Sequence, residues 1–138
     1  RLARPDMHII GVTGDGDHEY FGASLGRIAN LGLVLFVLDN GTHGLVDWGL
    51  AKIKKDLPPD RRLTHVPRND YVSMAVAQGW RGEYLQPGLD NFEGVMKEAN
   101  SIGSQSMLIQ VNAHPEDDLG QNRRLEGLKK QGKKIVTM

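Results

Sequence analysis

The chain is 138 residues long, about the size of one domain, and its 17 basic and 17 acidic side chains balance to a formal net charge of zero. That balance excludes a strong overall field for polyanions, so no nucleic-acid partner is expected. The absence of cysteine excludes disulfide frameworks, thiolate zinc sites and a cysteine nucleophile. The longest apolar run, Leu31 to Leu38, is interrupted by Gly32 and is far too short to span a bilayer. With no charged-then-apolar secretory start either, the expectation is a soluble, cytoplasmic protein without a membrane partner.

In chain order, His8 to Thr13 is a β-branched run that predicts a buried strand ending at Gly14. Apolar residues at Tyr20, Phe21, Leu25, Ile28, Ala29 and Leu31 predict a helix over 18–31, weakened by Gly22 and Gly26. Leu33 to Leu38 is continuously apolar, as a strand covered on both faces of a parallel sheet should be, and it ends at Asp39-Asn40-Gly41. Residues 41–70 read as loop, with a short helix near Trp48 to Lys55 stopped by Pro58-Pro59. Asn69-Asp70 then caps a helix over Tyr71 to Gln78 that Gly79 closes. A short strand near Gly82 to Leu85, a helix over Leu89 to Ile102 and a buried strand over Met107 to Val111 complete the pattern. Strands alternating with helices predict an α/β fold, a parallel β-sheet with helices on both faces. The expected domain occupies residues 1–118, followed by a basic tail over 119–138 in which Arg123, Arg124, Lys129, Lys130, Lys133 and Lys134 face a lone Glu126. Because the sequence opens on Arg1 in the approach to a strand, an N-terminally truncated piece of a larger unit is expected.

Nine of the 17 glycines fall before residue 50, which points to close backbone approach there. Ligands of open parallel sheets sit beyond the carboxyl ends of the strands. The segments to inspect are therefore Gly14-Asp15-Gly16-Asp17 and Asp39-Asn40-Gly41-Thr42. The common phosphate and zinc motifs fail. A dinucleotide fingerprint from Gly14 needs glycine at Glu19, a P-loop over Gly11 to Gly16 needs lysine at Asp17, and a zinc-protease pair from His18 needs histidine at Gly22. What remains is an aspartate flanked by glycines after one strand and an asparagine after the next. With strands about 4.8 Å apart, Asp15 and Asn40 can share one hard cation, Mg2+ in the presence of a diphosphate, while Gly14 and Gly16 admit backbone amides to the phosphates. Two ordinary surface turns are the alternative.

Val12-Thr13-Gly14-Asp15-Gly16-Asp17, then Asn30-Leu31-Gly32, then Leu38-Asp39-Asn40-Gly41 resembles the thiamine-diphosphate signature that begins Gly-Asp-Gly and ends Asn-Asn or Asp-Asn. Gly44-Leu45-Val46-Asp47-Trp48 is similar to the Gly-Met-Val-x-x-Trp segment of acetolactate synthases, with Leu45 in the methionine position. Asn69 to Gly82 and Leu89 to Asp117 resemble later elements of the same family, so the likeness spans residues 5–118. The chain thus resembles the C-terminal diphosphate-binding domain of thiamine-diphosphate-dependent enzymes, the acetolactate synthase and 2-oxo acid decarboxylase family.

That resemblance implies thiamine diphosphate and Mg2+ as cofactors, and leaves FAD open without indicating it. It makes Asp15, Asn40 and the Thr42 carbonyl the metal ligands, and Gly14, Asp15, Gly16, Asp17, His18, Asn40, Gly41 and Thr42 the cofactor-binding set. The implied activity is decarboxylation of a 2-oxo acid, with or without carboligation, as a lyase or transferase. The family's activating glutamate lies in a separate pyrimidine-binding domain, so that domain or subunit, within an oligomer, is the implied partner. Asp39 in place of the first asparagine is similar to the phosphonopyruvate and sulfopyruvate decarboxylase branch, and a non-catalytic domain that keeps only the fold is the further alternative. His43, three residues after Asn40, is the candidate proton donor toward substrate, the alternative being a solvent-facing loop histidine. His18, just after the glycine motif, faces either a phosphate or water. Trp48 and Trp80 read as packing anchors.

Overall fold

Four strands, β1 (Ile9–Gly14), β2 (Leu33–Asp39), β3 (Arg81–Leu85) and β4 (Met107–Asn112), form one parallel sheet in the order β1-β2-β4-β3. The computed structural model describes residues 3–4, 6–54, 56–58, 61 and 63–114. The basic tail over 119–138 and the Pro115-Glu116-Asp117 segment lie outside the described residues, as does the side chain of Trp48. Between the strands run α1 (Asp15–Phe21), a 3-10 helix over Gly22–Ile28, α2 (Gly44–Ile53), α3 (Tyr71–Val76) and α4 (Phe92–Ala99). Among the described residues no helix is long and apolar enough to cross a membrane.

The period-two alternation of β2 decides the layering. Leu33, Leu35 and Val37 pack with Leu25, Tyr71, Val72, Ala75, Trp80 and Leu108 on the face covered by α3 and the 3-10 helix. Val34 and Phe36 pack with Leu85, Val95, Ala99, Met107 and Ile109 on the face covered by α4. Both central strands are therefore apolar on both sides, as their continuous runs predicted. Register fixes the upper rim of the sheet: Gly14 pairs with Leu38, Val37 with Gln110, and Asp39 with Asn112. The carboxyl ends of β1, β2 and β4 thus lie level, and their loops open on one side.

Two expectations are corrected. β1 is not buried: Ile10 is 53% exposed and Val12 65%, because β1 is the edge of the described sheet and α4 covers β3 and β4 rather than β1. The helix predicted over 18–31 begins at Asp15, directly after the strand, and tightens into a 3-10 helix from Gly22. Asp15, Gly16 and Asp17 therefore lie in the first turn of α1 rather than ahead of it, with Gly14 as its cap. The remaining elements fall within a few residues of their predicted spans.

Candidate functional site

Asp15 is the first helical residue after β1, and its carboxylate is 2% exposed. One oxygen, Oδ1, accepts the N–H of Gly16 at 2.9 Å, and the other, Oδ2, accepts the N–H of Gly41 at 2.7 Å. That second bond crosses from the β1–α1 turn to the β2–α2 loop, so the structure brings the two motif segments together through a single side chain. Gly41 takes a positive φ of 69°, where a side chain would be strained, and this turns its N–H toward Asp15. Asn40 Oδ1 accepts the N–H of Thr42 at 3.1 Å, so its oxygen faces back over the same loop.

A segment read as loop in the sequence backs this rim. Thr42 pairs with His65 in an antiparallel bridge. The Val66 N–H donates to the Gly41 carbonyl at 3.0 Å, the His43 N–H to the Thr64 carbonyl at 2.8 Å, and Thr42 Oγ1 to the same carbonyl at 3.1 Å. Residues 41–43 are thereby pinned to residues 64–66 before α2 begins. His43, half-buried at the helix boundary, lays its imidazole on Gly16: a Cβ there would stand 2.3 Å from Nδ1. Over Gly14, by contrast, a Cβ would meet nothing within 4 Å, so that face of the turn is open.

Below the rim lies a second polar layer that sequence reasoning did not assign to the site. Asp39, 1% exposed, stands beside Asp15, and Gln110 Nε2 donates to Asp39 Oδ2 at 3.1 Å. Burial raises the Asp39 carboxyl above the usual carboxylate range; the neighbouring Asp15 raises it further and Arg68 opposes. The signal for Gln110 was present in the sequence, as the one polar residue within the apolar run Met107 to Val111.

Of the two sequence readings of His18, a phosphate or water, the one at water is corrected. His18 is 1% exposed and packs edge-on against Phe21 and Tyr71, with ring centroids 5.0 Å and 4.9 Å away. Neither ring nitrogen, nor Asp39 Oδ1, nor the Tyr71 hydroxyl finds a hydrogen-bond partner among the described residues. Burial lowers the His18 pKa and raises that of Tyr71, so both are held neutral. Asp17, at the third position of α1, is exposed. Trp80 is buried, and its Nε1 donates to the Leu25 carbonyl at 2.8 Å, the packing role expected of it.

Among the described residues no three His, Asp or Glu side chains converge as a metal cluster. The donor set at the rim is of another kind, one carboxylate, one side-chain amide oxygen and main-chain carbonyls. Such hard oxygen donors suit Mg2+, which holds few protein ligands and completes its octahedron with phosphate oxygens and water. Asp15 and Asn40 each retain unused lone pairs beyond the bonds above. The Thr42 carbonyl already accepts the Gly44 N–H at 2.9 Å and keeps one further lone pair. The residues present therefore fit the cation, and the open face of Gly14 leaves room for an anion beside it.

The family model described as "Thiamine pyrophosphate enzyme, C-terminal TPP binding domain" matches residues 1–111. The chain belongs to that family. Over 114 residues it is 31% identical to the benzoylformate decarboxylase of Pseudomonas aeruginosa, covering 80% of this chain and 20% of that protein. The structure of a thiamine diphosphate-dependent 4-hydroxybenzoylformate decarboxylase from Rhodococcus jostii RHA1 superposes with a TM-score of 0.71 at 30% identity, over 82% of this chain and 21% of the other. Benzoylformate decarboxylase from Polynucleobacter necessarius, at 18% identity over 85% and 22% of the two chains, has a TM-score of 0.69 and shares the fold. The chain spans about a fifth of the length of the relatives it matches. The resemblance read from Gly14 to Asp17 and from Leu38 to Gly41 is thus the family to which this thiamine-pyrophosphate-binding domain belongs.

Proposed function

We propose that this domain holds the diphosphate of thiamine diphosphate and its Mg2+ for an enzyme that decarboxylates a 2-oxo acid. The observation that carries the reading is the Asp15 carboxylate on the Gly41 amide at 2.7 Å, which unites the two motif loops around one set of oxygen donors. Asp15 and Asn40, with the Thr42 carbonyl, would hold the metal. Gly14 keeps its turn face free of side chains where a diphosphate would lie, Gly16 and Gly41 line it, and Asp17 borders it. When bound, the cofactor supplies an electron sink for loss of carbon dioxide. To His43, the titratable ring laid against the motif turn, we assign proton exchange with the substrate.

The names of two relatives favour an aryl 2-oxo acid as the substrate class and the decarboxylase branch over the carboligating synthases. Because the relatives are about five times longer, a pyrimidine-binding domain, in the same polypeptide or in another subunit of an oligomer, is the partner that would complete the site.

Calorimetric titration of the 138-residue chain with thiamine diphosphate, with and without Mg2+, tests the reading. Binding is expected to require Mg2+ and to weaken at least ~10-fold in Asp15→Ala, a loss of about 1.4 kcal/mol. Supplying a pyrimidine-binding domain should tighten it. Binding that ignores Asp15, or that is absent even with that domain present, would leave a domain that keeps only the fold.

A further inference from the structure

We propose that Gln110 is the positioning residue of the cofactor loop: by holding Asp39 from β4, it sets the carboxyl end of β2 and with it the Asp15–Gly41 contact. This deepens the function proposed above and rests on it only for its ligand-binding consequence.

The orientation of the Gln110 amide is dictated by its surroundings. Gln110 is 4% exposed, so its polar atoms must be satisfied by protein groups. Its Oε1 accepts the N–H of Tyr71 at 3.0 Å, one of the amides that α3 leaves without an intrahelical partner. With Oε1 committed to a donor, Nε2 faces acceptors: Asp39 Oδ2, the Asn69 carbonyl and Asn112 Oδ1, each at 3.1 Å. The reversed amide would set two donors against each other at Tyr71 and two acceptors against each other at Asp39. One side chain therefore joins β4, β2 and the start of α3.

Asp39 is the link to the site. It directly precedes Asn40-Gly41-Thr42, and its main-chain carbonyl accepts the Ala113 N–H at 2.8 Å, so backbone and side chain are both tied to the β4 end. Its carboxyl neighbours that of Asp15, and two buried carboxyl groups side by side repel when both are charged. A donor on the far side of Asp39 holds that carboxyl back and keeps the rim geometry in which Asp15 Oδ2 meets Gly41. Without it, the Asp39 side chain loses its anchor on β4 and, already close to Asp15 and to the Gly41 amide, competes with Asp15 for that amide.

The two duties of Gln110 separate chemically. Gln110→Glu keeps an acceptor for the Tyr71 N–H but loses the donor to Asp39 and places a carboxylate opposite it. Adding Asp39→Asn reverses the polarity of that bond, because the new amide at 39 donates to the new carboxylate at 110. Gln110→Met, uncharged and of similar length, guards against a fold lost to the added charge.

Amide hydrogen exchange by NMR on the 138-residue chain gives a readout free of ligand. In Gln110→Glu and Gln110→Met, exchange at the Gly41 N–H is expected to accelerate at least ~10-fold while the Val95 N–H within α4 keeps its rate, because a local opening does not expose distant amides. In Gln110→Glu with Asp39→Asn, the Gly41 rate should return to within ~3-fold of the parent, since the bond is restored with exchanged roles. Affinity for Mg2+ and thiamine diphosphate should fall and recover in parallel. Gly41 exchange that is unchanged, or that rises only together with Val95, overturns the proposal, as does a double variant that recovers thermal stability without recovering Gly41. If the parent chain binds no thiamine diphosphate, the function proposed above fails while Gly41 exchange still decides the role of Gln110.

Discussion

Gly16 shows how narrowly single residues define this rim. Its missing side chain is what allows the His43 ring to lie on the turn, since a Cβ would stand 2.3 Å from Nδ1 and 2.4 Å from Cε1. Gly16→Ala must therefore move the ring or the backbone, and overpacking of this kind costs about 1–3 kcal/mol. Urea denaturation should show that cost in the parent background and most of it relieved when His43→Ala is present; an equal cost in both backgrounds would mean the ring is not what excludes a side chain. The same rim shows what a sequence can convey. That Asp15, Asn40 and Thr42 share one rim was legible, because the loops at the carboxyl ends of neighbouring parallel strands open on one side whatever the packing beneath them. His43 on Gly16 was not, because it depends on a loop held by Thr64 and Val66, more than twenty residues away. Gln110 carried a visible signal, one amide in an apolar strand, but its partners Asp39 and Asn69 belong to other segments.

At the scale of elements, the stretch after β1 is where tertiary contacts override periodicity. The apolar spacing from Tyr20 to Leu31 describes which face is buried, not which hydrogen-bond period the backbone follows, so it is compatible with the 3-10 helix over Gly22–Ile28. That tighter helix is tied from outside. Gln78 Oε1 accepts the Gly26 N–H at 3.0 Å, Gln78 Nε2 donates to the Gly22 carbonyl at 2.9 Å, and Trp80 Nε1 donates to the Leu25 carbonyl at 2.8 Å. Side chains following α3 thus supply partners for groups whose intrahelical geometry is poor. Trp80→Phe keeps most of the buried ring but leaves the Leu25 carbonyl without its donor, a loss of about 1–3 kcal/mol. Equilibrium denaturation should show a lower midpoint with the slope unchanged, since the surface exposed on unfolding is the same. A changed slope would place the effect in the denatured or partly opened chain instead. The cap of α3, in contrast, was readable from sequence because it is local: Asp70 accepts the Ser73 N–H at 2.9 Å within one turn.

At the scale of the molecule, the central strands β2 and β4 are sealed by two apolar layers while the carboxyl-end side of the sheet buries Asp15, His18, Asp39 and Gln110. Folding stability must therefore depend on pH, and two of the shifted groups, His18 and Asp39, act in opposite directions. His18 is held neutral by burial, its folded pKa lying below the unfolded value of about 6.5. As pH falls through that value the unfolded chain takes up a proton that the native imidazole refuses, so acidification favours unfolding and stability is lost below about pH 6.5. Asp39, whose folded pKa is raised mainly by burial and further by Asp15, binds its proton more tightly when native. It contributes stability at low pH that is lost as pH rises from about 4 through its folded pKa. His18→Leu separates the two: an apolar side chain of similar size meets Phe21 and Tyr71 without unpaired nitrogens, so near-parental stability is expected at pH 7. Across pH 7 to pH 5, acidification should lower the urea midpoint of the parent relative to that of His18→Leu, which keeps the opposite contribution of Asp39 and loses that of the imidazole. Parallel profiles in the two proteins would mean that the imidazole reaches water or a partner when protonated, and the closed packing of α1 on α3 would have to open to let it.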